Sequence, residues 1–225
     1  DLGFYSFVLF FFVPLQSNLE DIILEKDMKK WLVIICFLTC WLGASAQNLR
    51  DVWIDMPDTI SPYLNKSLRT ELADYVKMGV DPAVKNLLDD TTRIERMTKN
   101  YMLVQLSKAS SLEIKLLDNS TIALVQTWKG PVAESKLSLF NQQWQAHAMV
   151  ILPQETIEKP DTISEMEWND IKSLMTPRLR ELHLNADDNS LLVSFNYPLL
   201  SKEDRKRVEP YMKPMVLHWT GKDFR

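Results

Sequence analysis

The stretch YMLVQLSKASSLEIKLLDNSTIALVQTWKGPVAESKLSLF, Tyr101–Phe140, decides the fold. Tyr101–Leu106 reads as a strand, broken by Lys108-Ala-Ser-Ser111. Leu112, Ile114 and Leu116 then alternate with Glu113 and Lys115, the period of two expected of a strand with one wet face. Asp118-Asn119-Ser120 is a turn cluster, because Asp and Asn bond their own main chain and tolerate left-handed backbone. Thr121–Trp128, rich in β-branched and aromatic residues, is the return strand. Gly130-Pro131 turns again, and Glu134–Phe140 alternates with Leu137 and Leu139 on one side. Short turns between neighbouring strands specify an antiparallel meander. Leu112, Ile114, Leu124 and Leu137 are expected in one core, with Glu113, Lys115, Glu134 and Lys136 on a face at least partly wet.

On the N-terminal side, Leu64, Leu68, Leu72, Tyr75 and Val76 recur at helical spacing behind Asn65 as cap, and Gly79 fits the stop. Asp81-Pro82 reads as a cap followed by proline in the first helical position, predicting a short helix through Val84, Leu87 and Leu88. Thr91–Lys99 fits either a leading strand or a helical turn, and Asn48–Ile60 a short opening segment. On the C-terminal side, His147–Leu152 reads as a further strand and Pro153–Pro160 as a loop. Ser164 with Glu167 forms a capping-box pair ahead of an apolar stripe of Met166, Ile171, Leu174 and Met175. Leu182–Ala186 and Leu191–Tyr197 form a second hairpin about Asp187-Asp188-Asn189, Ser201 caps a charged helix, and Met215–Trp219 is a last strand. Asp118-Asn119-Ser120 matches Asp188-Asn189-Ser190, a faint internal echo that common turn chemistry also explains. The fold class is therefore α+β: an antiparallel sheet of six to eight strands, meander plus second hairpin, with helices packed on one face.

The beginning of the chain carries targeting signals. Residues 2–15 are apolar but shorter than the roughly 20 residues a spanning helix needs. Met28, then Lys29-Lys30, the apolar run Trp31–Leu42 and Ala44-Ser45-Ala46 ahead of Gln47 follow the order of a secretory signal peptide. Residues 28–46 are read as that signal, residues 1–27 as translation upstream of the true start, and residues 47–225 as a single α+β domain. A tandem hydrophobic anchor is the rival reading of the leader. Both cysteines, Cys36 and Cys40, lie in the leader. Thr39 and Trp41 make Cys40 a poor lipidation site. The domain then has neither disulfide nor catalytic thiol, and its size lets it bury enough surface without one. The expected location is the periplasm or cell surface, with membrane contact only through the leader. Lys and Arg number 26 against 30 Asp and Glu, a formal charge of −4. Nothing in that balance points to nucleic acid.

Met56-Pro57-Asp58 followed by Pro62-Tyr63-Leu64 resembles a family of uncharacterised exported proteins from anaerobic gut bacteria that carry a domain of unknown function. Leu72-x-Asp74-Tyr75, Ser110-Ser111-Leu112-Glu113 and Gly130-Pro131-x-x-Glu134-Ser135 are similar to it too, so the resemblance covers most of residues 47–225. It implies secretion and a compact α+β domain, and it transfers no catalytic residue.

The residues themselves select no chemistry. Phosphate-cradling loops need clustered glycines, and here Gly79, Gly130 and Gly221 stand far apart. G-x-S-x-G and HExxH are absent, and without cysteine no thiolate zinc site forms. His147, His183 and His218 are scattered, each in an expected strand, and read as separate structural or surface residues. Asp89-Asp90, Asp187-Asp188 and Glu203-Asp204 are the best carboxylate clusters, but Asp187-Asp188-Asn189 lacks the ligand spacing of a calcium loop. Lys202, Arg205, Lys206 and Arg207, interrupted by acids, read as a solvated helix face. No metal, cofactor or catalytic centre is expected. Of Trp53, Trp128, Trp144, Trp168 and Trp219, most should pack inside. Trp144, among glutamines, and then Trp53 are the candidate binding residues. Asp58-Thr59-Ile60, Asp90-Thr91-Thr92 and Asp161-Thr162-Ile163 resemble a bacterial O-glycosylation acceptor, making Thr59, Thr91 and Thr162 candidate modification sites in expected loops. The leading expectation is an exported binding or structural module acting on a protein or cell-envelope component. The alternatives are a hydrolase built from scattered residues or a carrier of an apolar ligand.

Overall fold

The computed structural model describes residues 48–147, 150–155 and 157–225; the expected leader segments 1–27 and 28–46 lie outside them. Among the described residues, helices α1 (Leu49–Ile54) and α2 (Lys66–Met78) come first. Six strands follow: β1 (Ala83–Lys85), β2 (Thr91–Met97), β3 (Tyr101–Ser107), β4 (Ser110–Leu116), β5 (Thr121–Lys129) and β6 (Ala133–Asn141). Then come α3 (Glu165–Leu174), β7 (Leu179–Leu184), β8 (Ser190–Asn196), α4 (Lys202–Val208), a 3-10 turn (Glu209–Tyr211) and β9 (Met215–His218). Strands β1–β6 form one antiparallel sheet in meander order, and β7-β8-β9 form a second, smaller one. The fold is α+β.

Local chemistry sets most element ends. The Asn65 side chain accepts from Leu68 N at 3.1 Å, satisfying one of the free amides at the start of α2. Gly79 ends that helix at φ 67°, a left-handed conformation open to glycine at little cost. Ser164 caps α3 and Ser201 caps α4 in the same way. The opening segment is itself helical: Asn48 Oδ1 accepts from Asp51 N at 3.0 Å and starts α1. The helix expected after Asp81-Pro82 is instead β1, because Ala83, Val84 and Lys85 find partners in Arg93, Thr92 and Thr91 of β2. A ladder to an existing strand outweighs a cap signal in so short a segment. Leu87 and Leu88, expected on the apolar face of that helix, are exposed. Of the strand expected at His147–Leu152, the described residues form none, although Ala146 bridges to Phe140. Met166 of the expected α3 stripe faces solvent, and Trp168 with Ile171 provides the buried face.

The meander is covered on both faces. Leu112, Ile114, Ile122 and Leu124 pack under α1 and α2 with Trp53, Met56, Leu64 and Leu72. On the opposite face Tyr101, Ala123, Val125 and Leu139 pack against Leu182, Leu184, Leu191 and Val193 of the second sheet and against Trp168 and Ile171 of α3. Leu137 belongs to this second core, not to the core of Leu112, Ile114 and Leu124: its cross-strand partner is Val125, and partners share a face. Glu113 and Lys115, expected in water, are 2% and 0% exposed. Their alternation with leucine and isoleucine is real, but the face they occupy carries the second sheet.

Candidate functional site

Glu113 sits where the two sheets meet. Strand β7 is the edge of the smaller sheet, and its outward amides need acceptors. Glu113 Oε2 accepts from Leu184 N at 2.8 Å, and the Ser135 hydroxyl accepts from Leu182 N at 3.1 Å. Lys115 Nζ donates to the carbonyls of Asn185 at 2.8 Å and Ala186 at 3.1 Å. Asn189 Nδ2 donates to Leu117 O at 2.7 Å. Side chains of the meander thus close the edge that backbone pairing leaves open. Glu113 also accepts from the Tyr101 hydroxyl at 3.1 Å and pairs with His183 Nδ1 at 2.8 Å. His183 Nε2 lies 3.3 Å from Glu181, which itself accepts from Asn196 Nδ2 at 2.9 Å.

The charges follow from these contacts. The hydrogen bond to Glu113 raises the His183 pKa above its usual value, against partial burial, and the charges of Glu113 and Glu181 add to the rise. Burial pushes the Tyr101 phenol up, with the Glu113 charge and hydrogen bond acting the same way. Burial holds the Lys115 ammonium below its usual range, against the pull of Asp188 and Asp187. Glu113 has each oxygen engaged by protein donors. The junction therefore fastens two sheets, and its carboxylate is committed to that task.

Two of the surface grooves among the described residues are lined in part by the C-terminal segment 210–223. The larger, about 570 Å³, is lined by Glu155, Ile157, Glu158 and Pro160 from the segment before α3 and by Pro210, Tyr211, Lys213, Pro214 and Met215 from the segment leading into β9. Tyr211 is held edge-on to Trp168, centroids 5.3 Å apart. Glu155 pairs with Arg178 at 2.9 Å, and burial raises its pKa while Arg178 opposes the rise. Arg178 in turn lies 4.8 Å over the Phe195 ring. The other groove, about 390 Å³, gathers Thr121, Leu139, His147, Val150, Ile151, Trp219 and Lys222. Trp219 Nε1 donates to Asp118 Oδ2 at 3.1 Å. Burial works upward on Asp118, but the bonds from Ser120, Trp219 and Thr121 outweigh it and hold the carboxyl below its usual range.

The two candidate binding tryptophans are inside the protein. Trp53 is 0% exposed and donates to Arg69 O at 2.9 Å. Trp144 is 7% exposed, donates to Val52 O at 3.1 Å and packs on Phe140 at 5.2 Å. Helix α1, not foreseen as a helix, supplies the apolar cover and the carbonyl that draw Trp144 inward. Trp144 takes φ 58°, and Asn141 Oδ1 steadies its loop by accepting from Gln143 N and Gln145 N. Among the described residues the exposed tryptophan is Trp128 of β5, 49% accessible and cross-strand from Ser110 of β4 and Glu134 of β6. Its position beyond the helix-covered part of the sheet left no mark in the sequence pattern. Thr59, Thr91 and Thr162 are all exposed, the first and last in turns and Thr91 at the start of β2 rather than in a loop. Of the histidines only His183 joins a carboxylate cluster; His147 lines the smaller groove and His218 pairs by backbone with Arg225. Tyr211 and Glu155, the groove residues with the clearest chemistry, carry no motif and could not be singled out beforehand. Among the described residues no group of three or more His, Cys, Asp or Glu is placed to hold a metal, and no helix is long and apolar enough to cross a membrane.

Comparison with known proteins adds the family and the fold. A domain of an uncharacterized protein from Porphyromonas gingivalis W83 is similar in structure, with a TM-score of 0.64 at 20% identity, covering 79% of this chain and 96% of that one. At that identity the likeness speaks for the fold alone. No curated protein matches. Residues 41–224 match the family described as "Protein of unknown function (DUF3256)". The match spans the described domain from α1 to the C-terminal turn, and the chain belongs to the DUF3256 family.

Proposed function

We propose that this protein is an exported binding or structural module that acts on a protein or cell-envelope component and has no catalytic centre. The observation that carries the reading is the groove of about 570 Å³ around Tyr211. Its walls hold three prolines, Ile157 and Met215 about an aromatic ring, with Glu158 and Lys213 beside them. Proline-rich walls are preorganised, so a ligand orders little of the protein on docking and more of the contact energy appears as affinity. An aromatic ring set among apolar and charged side chains, here Glu155, Glu158 and Lys213, offers a partner both contact area and groups that orient it. Export is supported by the order of Lys29-Lys30, apolar run and Ala44-Ser45-Ala46.

Charge reversal tests the groove. Glu158→Lys and Lys213→Glu, both at exposed positions, should leave stability within about 0.5 kcal/mol. Each should reduce recovery of the component that co-purifies with the wild-type protein from its own envelope. Undiminished recovery with both variants contradicts the groove as the binding surface. Glu155 favours a second reading, hydrolysis by scattered residues, because a part-buried acid with a raised pKa beside a groove is suited to proton transfer. Turnover of an envelope polymer by purified protein, abolished in a folded Glu155→Gln variant, would establish that reading in place of the first.

A further inference from the structure

One pentapeptide occurs twice: Pro57-Asp58-Thr59-Ile60-Ser61 and Pro160-Asp161-Thr162-Ile163-Ser164. The two copies lie far apart in the chain and belong to different cores, yet they take the same local form. In each, the isoleucine N–H donates to the proline carbonyl, Ile60 to Pro57 at 3.0 Å and Ile163 to Pro160 at 3.4 Å. In each, proline and isoleucine are half-buried while aspartate and threonine are exposed. Ile60 anchors its turn on the helix-side core and Ile163 anchors the other on the second core.

Physical chemistry accounts for part of the repetition. Proline fixes φ at the start of a turn, aspartate is a turn residue, and isoleucine supplies the anchor. The final serines have separate duties, Ser61 buried and Ser164 capping α3. Threonine is left without a structural reason. The turn does not call for threonine in particular, since serine, asparagine or aspartate would serve it as well. Among the described residues neither hydroxyl is engaged in a hydrogen bond within the protein.

We infer that Thr59 and Thr162 are acceptors for covalent O-glycosylation, and that Thr91 is not. In the step required, the threonine Oγ attacks the anomeric carbon of an activated sugar, a glycosyl phosphate or diphosphate. A C–O bond forms to Oγ, the bond from the anomeric carbon to the phosphate oxygen breaks, and the phosphate leaves with that electron pair. The hydroxyl proton passes to a base of the transferase. A transferase must seat the acceptor tripeptide in its own cleft, and an exposed turn anchored at both ends offers one. Thr91 shares the Asp-Thr dipeptide but not the setting. It opens β2, paired with Lys85, and its N–H donates to Asp90 Oδ1 at 2.8 Å. The other Asp90 oxygen accepts from Lys108 N at 3.3 Å. Its backbone is therefore held in the ladder between β1 and β2, whereas Thr59 and Thr162 lie in turns, Asp58 alone of their neighbours being ion-paired among the described residues, with Arg69 at 2.8 Å.

The inference rests on the export reading, because the transferase must share the compartment. The test is intact-mass measurement and fragment mapping of protein purified from its own cells, with cytoplasm and envelope separated. Exported wild-type protein should carry two sugar additions. Thr59→Ala and Thr162→Ala should each remove one, Thr59→Ser should keep its addition, and Thr91→Ala should leave the mass of the attached sugar unchanged. Exported protein of unmodified mass overturns the inference and leaves export standing. So does a modification that survives both alanine changes, sits at Thr91, or has the mass of phosphate. Unmodified protein confined to the cytoplasm overturns export and this inference together.

Discussion

Glu113 is the residue on which the packing of the two sheets turns. Its side chain is 3% exposed and serves Leu184 N, the Tyr101 hydroxyl and His183 together. Replacing it by alanine leaves all three groups without their acceptor, and breaking a buried charged network of this kind costs about 3–5 kcal/mol. Denaturant melts of Glu113→Ala should show a loss of that order, whereas a residue on a wet face would give less than about 0.5 kcal/mol. His183 gives the same junction a pH dependence. Its pKa is raised in the folded protein, chiefly by the hydrogen bond to Glu113, so the folded state binds the proton more tightly than the unfolded one. The stabilisation is fully present below the unfolded value of 6.5 and is lost as pH rises through the higher folded value. The stability difference between wild type and His183→Gln should therefore shrink as pH climbs above 6.5. A difference that grows over that range would contradict the assignment. Little of this was legible in the sequence. Alternation places Glu113 opposite Leu112 and Ile114, but alternation cannot say what covers the second face. The two tryptophans nominated for binding failed for a related reason: a polar sequence neighbourhood, such as the glutamines around Trp144, does not report a helix packed on it from ninety residues away.

At the scale of elements, β5 shows how both faces of the meander are used. Leu124 lies in the core under α1 and α2, and Val125 lies in the core shared with the second sheet. They are 1% and 0% exposed. Leu124→Ala should cost about 2–5 kcal/mol, and Val125→Ala at least about 1.5 kcal/mol from the lost methyls alone. A near-neutral effect at Val125 would mean that the second sheet does not cover this strand. The strands Tyr101–Phe140, the caps at Asn65, Ser164 and Ser201 and the Gly79 stop could all be read from local chemistry, since each rests on residues adjacent in sequence. Segments of marginal length could not. Ala83-Val84-Lys85 becomes a strand because β2 is available to pair with it, and Asn48 starts a helix too short to show a period. The second hairpin was legible as a hairpin. Its placement on the meander depends on Glu113, Ser135 and Lys115 reaching its edge, a long-range match that no local pattern records.

At the scale of the whole molecule, two sheets and four helices among the described residues enclose two cores, and a groove lined by three prolines and Tyr211 opens at the surface. The claim that this groove receives a partner is tested most directly by crosslinking inside cells. A photoreactive residue at position 158 or 213, on the groove rim, reports on what lies there, and one at the exposed position 95 on β2 serves as the control. We predict a discrete adduct of the same partner from 158 and 213, weakened by Tyr211→Ala, and none from 95. Equal capture from all three positions, or a partner captured only from 95, would contradict it.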